Sequence, residues 1–156
     1  MKLPESAEWV LHCAASLAQL EDGATASAAQ FAELFGVPAP YLAKQLANLV
    51  RAGVLAATTG PRGGFRLARP ASQITVLDVI EAVDGGADPY QCREIRQQGR
   101  GALPPDDCTE PCVLATTMRA AHEAWRASLA AVSLADVVGT LPADAPARTR
   151  RLLSRG

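Results

Sequence analysis

Residues 27–67 read SAAQFAELFGVPAPYLAKQLANLVRAGVLAATTGPRGGFRL, and the order of signals in this run decides the fold. Ser27-x-x-Gln30 has the form of a capping box, and Phe31, Leu34 and Phe35 follow at helical spacing until Gly36, so a short helix is predicted here. Val37-Pro38-Ala39-Pro40 then makes a turn. A second helix is predicted from Pro40 to about Ala52, with Tyr41, Leu42, Leu46, Leu49 and Val50 as its apolar residues and Gly53 as its stop. Two apolar-rich segments, Val54–Thr58 and Phe65–Arg69, flank the turn Thr59-Gly60-Pro61-Arg62-Gly63-Gly64 and read as a β-hairpin. Two short helices joined by a tight turn and followed by a hairpin make a winged helix-turn-helix.

Charge is distributed in the same sense. No Asp or Glu occurs from Leu34 to Leu77, whereas Lys44, Arg51, Arg62, Arg66 and Arg69 all fall there, so one face is expected to be electropositive although the formal net charge is −1. A helix fits the major groove, which makes Tyr41, Lys44, Gln45 and Asn48 the candidates on the recognition helix, with Lys44, Gln45 and Asn48 expected to be exposed. Arg62, Gly63, Gly64 and Arg66 are the candidates on the wing, where Arg62 can reach a minor groove or phosphates. The competing reading is a winged helix that serves protein contacts, with these charges as a solvated face.

Outside this window, Trp9, Val10, Cys13, Leu17 and Leu20 repeat at helical steps and predict a first helix from Ser6, its expected N-cap, to Leu20. Thr75-x-x-Asp78 opens a helix through Val83, stopped by Gly85-Gly86. A polar loop to about residue 111 follows. Leu114, Met118, Ala121, Trp125, Leu129 and Val132 then mark a long helix whose apolar stripe lacks a partner in its own chain and suggests a dimer interface. The expected organisation is 1–85 winged helix-turn-helix, 86–111 loop, 112–138 dimerisation region and 139–156 flexible Pro/Ala/Arg tail. The fold class is mainly α with a small β-hairpin.

The chain has 156 residues, 49% hydrophobic and 20% charged, which is enough for one core and leaves no excess of basic charge to coat nucleic acid indiscriminately. No apolar run approaches the ~18–20 residues that span a bilayer, and the N-terminus lacks an apolar signal core, so no membrane partner and a cytoplasmic address are expected. Neither a Gly-rich phosphate loop nor a catalytic triad or acid pair is evident. An enzyme with a small-molecule substrate is therefore not expected.

Chemistry is expected at the cysteines. Cys92, Cys108 and Cys112 are spaced x15 and x3, and Glu8 and His12 lie four apart on the first helix, where they share a face. Thiolates with an imidazole and a carboxylate suit zinc or an iron–sulfur cluster, and spacing by itself does not choose between them. Cys13 reads as a thiol of the helix core and His122 as an exposed helix residue. A metal-free regulator that responds through thiol oxidation is a third possibility.

The run Tyr41–Leu46, the wing Gly60–Leu67 and the segment Ile74–Val83 resemble the winged-helix iron–sulfur repressors of bacteria, the family that includes IscR and NsrR. This resemblance covers roughly residues 1–138 and is most specific in the wing. It implies a homodimer held by the long helix, a palindromic operator in double-stranded DNA, and a cluster in the loop before that helix. Cluster-binding members usually have three cysteines at closer spacing; here Cys92 matches the first, but fifteen residues intervene before Cys108. Some members take a carboxylate from about position 8 of the partner's first helix, and Glu8 stands there with His12 one turn on. Cys108, Cys112, Glu8 and His12 make a full set of four for a [2Fe–2S] cluster, an arrangement most like that of the redox-responsive member RsrR. The alternative adds Cys92 in a [4Fe–4S] cluster. Trp9, between the two non-cysteine ligands, is the candidate coupling residue of a redox switch.

Overall fold

The computed structural model describes residues 3–154. Among these, the order is α1 (Glu5–Leu17), α2 (Ala28–Phe35), α3 (Ala39–Arg51), β1 (Leu55–Thr58), β2 (Gly64–Leu67), α4 (Val76–Asp84), α5 (Val113–Ala130), α6 (Leu134–Gly139) and α7 (Ala145–Leu153), with short 3-10 turns before α4 and between α4 and α5. The chain divides into two compact units, one made by the segments up to Gly86 and from Leu129 onward, the other spanning Ala87–Ser128.

The first unit is built around apolar residues that recur at helical spacing. Val10, Cys13, Ala14 and Leu17 of α1 meet Phe31 of α2 and Leu42, Leu46 and Leu49 of α3, and Val54, Leu55, Ile74, Val79 and Leu134 complete the core. Burial pushes the Cys13 thiol up to about 12, so it is a protonated core group as its place in the helical pattern predicts. Both capping boxes are formed: Ser27 and Gln30 exchange hydrogen bonds of 2.8 and 3.1 Å, and Thr75 and Asp78 do the same at 2.8 and 3.1 Å. β1 and β2 pair antiparallel with Leu55 opposite Leu67 and Thr58 opposite Gly64. Ala26 extends this ribbon, because its N–H donates to Phe65 O at 3.0 Å while its carbonyl accepts from Phe65 N at 2.8 Å.

Two expectations fail here. Ser6 does not cap α1: the N-cap is Pro4, and Ser6 lies buried within the first turn. The segment from 139 onward is no flexible tail over its described part, since α7 is a regular helix with Ala145 and Leu153 each 5% exposed. Its few apolar residues and many arginines read as solvated chain. A nine-residue helix, however, needs only one narrow seam of contact once a neighbour exists.

Among the described residues of the second unit none is buried. Here α5 carries exposed Val113, Leu114 and Met118, and the loop before it is ordered by three 3-10 turns, Ile95–Gln97, Gly99–Gly101 and Pro105–Cys108. No described helix is long and apolar enough to cross a membrane.

Candidate nucleic-acid interface and metal centre

The recognition helix presents fewer free groups than its sequence suggests. Lys44 is exposed and Tyr41 is 47% exposed, but Gln45 is 7% exposed, which corrects the expectation that it faces solvent. Gln45 falls on the same side of α3 as Leu42, Leu46 and Leu49, so its stem is carried into the core and its Oε1 accepts from Asn48 Nδ2 at 3.2 Å. Asn48 is half-buried and its own Oδ1 accepts from Arg51. Tyr41 and Lys44 are therefore the expected groups that stand clear, and Arg51, exposed at the helix end, joins them.

The wing is shaped by two close backbone approaches. A Cβ on Gly63 would lie 2.4 Å from Thr58 O, and one on Gly64 would lie 2.8 Å from the Ala26 carbonyl, so neither position accepts a side chain without moving main chain. Gly63 N–H donates to Gly60 O at 2.9 Å and closes the tip. That leaves Arg62 and Arg66 exposed, with Arg62 O receiving the Thr25 hydroxyl at 3.2 Å.

Glu8 and His12 are both exposed on α1 and, with Trp9, Phe35 and Val37, line a cavity of about 230 Å³. The His12 ring centre lies 5.7 Å from that of Phe35 at the end of α2. Trp9 meets Tyr41 edge to face at 5.5 Å, which joins the face carrying Glu8 and His12 directly to the recognition helix.

In the second unit, Cys112 is the N-cap of α5: its carbonyl accepts from Thr116 N at 2.9 Å and its sulfur accepts from the N–H groups of Ala115 and Leu114. Those two donors, then the Arg96 guanidinium and the Cys92 thiol, hold Cys112 below the usual thiol range, opposed by partial desolvation. Arg96 bonds Glu94, donates to Glu110 O at 3.0 Å and also feels Cys108 and Cys112. Its guanidinium thereby draws the two sulfurs of the x3 pair into one field. Cys92 is exposed, whereas Cys108 and Cys112 are half-buried. His122 is not the exposed residue expected: its side chain is 10% exposed, 3.9 Å from Asp88 and stacked on Trp125.

Among the described residues, no three His, Cys, Asp or Glu side chains of one chain gather as a metal site. The donor set nevertheless suits an iron–sulfur cluster chemically, because such clusters take thiolates and Cys112 is already biased to that form. Sequence reasoning missed Arg96, Thr25 and Gln19. Arg96 carries a signal in retrospect, being four residues after Cys92, but the other two act through contacts between distant segments.

A helix-turn-helix, a basic wing and a cysteine loop ahead of a long helix define a class of DNA-binding regulator. Residues 3–140 match the Rrf2 family, described as iron-dependent transcriptional regulators, and the chain belongs to that family. It is 30% identical over 139 residues to Rv1287 of Mycobacterium tuberculosis, a candidate HTH-type transcriptional regulator, covering 89% of this chain and 82% of that protein. IscR of Cereibacter sphaeroides is 39% identical over 69 residues, 44% of each chain. CymR of B. subtilis, named as a global cysteine regulator, shares the fold with a TM-score of 0.69 at 20% identity, over 91% of this chain and 99% of that one.

Proposed function

We propose that this protein is a redox-responsive transcriptional regulator, acting as a repressor, that binds a palindromic operator as a homodimer and senses through a [2Fe–2S] cluster. Cys108 and Cys112 of one copy would hold the cluster together with Glu8 and His12 of a second copy. Tyr41, Lys44, Arg62 and Arg66 would contact the operator, with Gly63 and Gly64 shaping the wing and Gln45 and Asn48 bracing the recognition helix. Exposed Val113, Leu114 and Met118 on α5 would close the dimer.

The observation that carries the reading is the Trp9–Tyr41 contact at 5.5 Å. Trp9 stands between the two non-cysteine donors, and Tyr41 stands on the recognition helix, so repacking at one is felt at the other within a single contact. When bound, the cluster would supply a one-electron change of charge at that face. His12 offers a neutral imidazole and Glu8 a charged carboxylate, and His in place of Cys raises cluster potentials. A switch then requires the two states to differ in DNA affinity, with typical couplings of about 1–3 kcal/mol.

Iron and acid-labile sulfide, measured on protein purified without oxygen, with visible spectra before and after dithionite, test the reading. Two iron and two sulfide per site with reversible bleaching are expected. Trp9→Ala should retain the spectrum and lose the redox dependence of DNA binding; redox dependence that persists in this variant would remove Trp9 from the switch.

A second reading has its own observation: Cys92 and Cys112 line one open cavity together with Arg96. Without metal, the Cys112 thiolate would attack a hydroperoxide, breaking its O–O bond to give a Cys112 sulfenic acid and an alcohol; the Cys92 sulfur would then attack the Cys112 sulfur, breaking its S–O bond to form the disulfide and release water. Colourless protein that takes up no iron and gains a Cys92–Cys112 disulfide with peroxide would favour this reading over the cluster.

A further inference from the structure

The helix α7 is locked to the winged-helix unit by specific bonds. Gln30 Nε2 in α2 donates to Leu153 O at 2.7 Å, the Thr149 hydroxyl donates to Gln19 Oε1 at 2.9 Å, and Arg150 Nη1 donates to Gln19 O at 3.0 Å. These contacts set the rotation of α7. As a result Arg150 and Arg151 line an open cavity of about 560 Å³ together with Leu20, Glu21 and Thr25.

Thr25 links the wing to this cavity. Its hydroxyl bonds the Arg62 carbonyl at the wing tip, and its neighbour Ala26 is paired to Phe65 of β2. Thr25 therefore touches the wing through the Arg62 carbonyl and also lines the cavity that Arg150 and Arg151 share, and all four arginines, Arg62, Arg66, Arg150 and Arg151, are exposed. Arg151 makes no competing side-chain bond that would occupy it among those described, while Arg150 spends one of five N–H donors on Gln19. Glu21 is the acid lining the cavity, so the surface keeps a net positive charge there.

We propose that α7 is a further DNA-contacting element, in which Arg150 and Arg151 engage the phosphate backbone that flanks the stretch held by the wing. This rests on the operator-binding reading above. Guanidinium groups match phosphate geometry, and contacts of this kind position a protein on DNA without reading bases. Phosphate neutralisation also releases counterions, which gives the contact a signature of its own.

Fluorescence anisotropy of the full chain on a duplex from the gene's own promoter, and on a random duplex of equal length, tests this between ~50 and ~300 mM salt. Arg151→Gln leaves the Gln30, Thr149 and Arg150 bonds in place and should keep the wild-type circular dichroism and melting temperature. It should weaken both duplexes several-fold alike and reduce the slope of log affinity against log salt by about 1 per subunit. Pairing it with Arg150→Gln should deepen the loss. Unchanged slope and affinity in both Arg151→Gln and Arg151→Glu would overturn the proposal, as would a loss confined to the promoter duplex. Wild-type protein with no preference for the promoter duplex sinks the operator reading instead, which is a different result from a preference that survives while Arg151 proves silent.

Discussion

Phe31, Leu42, Leu46 and Leu49 are fully buried in the winged-helix unit, whereas no described residue from Ala87 to Ser128 is buried at all. The first region is ordered by apolar burial and can hold its recognition helix rigid. Order in the second comes from local hydrogen bonds, chiefly Arg96 to Glu94 and Glu110 and the Cys112 cap on α5, and these compete with water at little net gain. Regions with few buried contacts open at low free energy, and that is where sensing elements are drawn from. The contrast also explains why the apolar side chains of α5 remain exposed: the unit that carries them has too little chain to cover them.

Leu46→Ala probes this contrast most strongly. It should cost roughly 2–5 kcal/mol of unfolding free energy, because it empties a closed site, while Leu114→Ala, removing a side chain that is 66% exposed, should cost well under 1 kcal/mol. Chemical denaturation of the two variants at low protein concentration checks this, and equal losses would break the comparison. Gly63→Ala comes next, at about 1–3 kcal/mol, since its Cβ would lie 2.4 Å from Thr58 O; its effect should appear in wing proton exchange and DNA affinity rather than in the cysteine loop. Ser27→Ala should cost about 1 kcal/mol by removing one half of the α2 capping box.

Thiol chemistry gives the subtlest comparison. Iodoacetamide should modify Cys112 at a pH below that required by an ordinary free thiol, because the α5 N–H groups and Arg96 favour its thiolate. Cys13 should stay unmodified until the chain unfolds, as burial disfavours its charge and blocks access. Mass mapping of the alkylated sites against pH reads both, and a Cys112 rate that follows an ordinary thiol would remove the N-cap effect.

Much of this molecule is legible in its sequence. The capping boxes Ser27–Gln30 and Thr75–Asp78, the glycine stops and the helical repeat of Leu42, Leu46 and Leu49 are local signals, and local signals survive in sequence because helix ends and turns are made by residues a few positions apart. The acid-free window from Leu34 to Leu77 likewise located the electropositive elements. Gln45 shows where this kind of reading stops. Polarity argued for exposure, and only the packing of α3 decided that its stem belongs with the leucines one turn either side.

The same division runs through the candidate sites. The two helices, the turn, the glycine-shaped wing and the cysteines ahead of a long helix are all written in neighbouring residues. Long-range packing sets Cys92 and Arg96 beside Cys112 at the start of α5, brings Trp9 onto Tyr41, and bonds α7 to Gln19 and Gln30 while Thr25 bonds the wing. The physical reason is range: backbone hydrogen bonds within a turn are written in neighbouring residues, but a contact such as Gln30 to Leu153 spans 123 positions and exists only after the core has brought the two segments together.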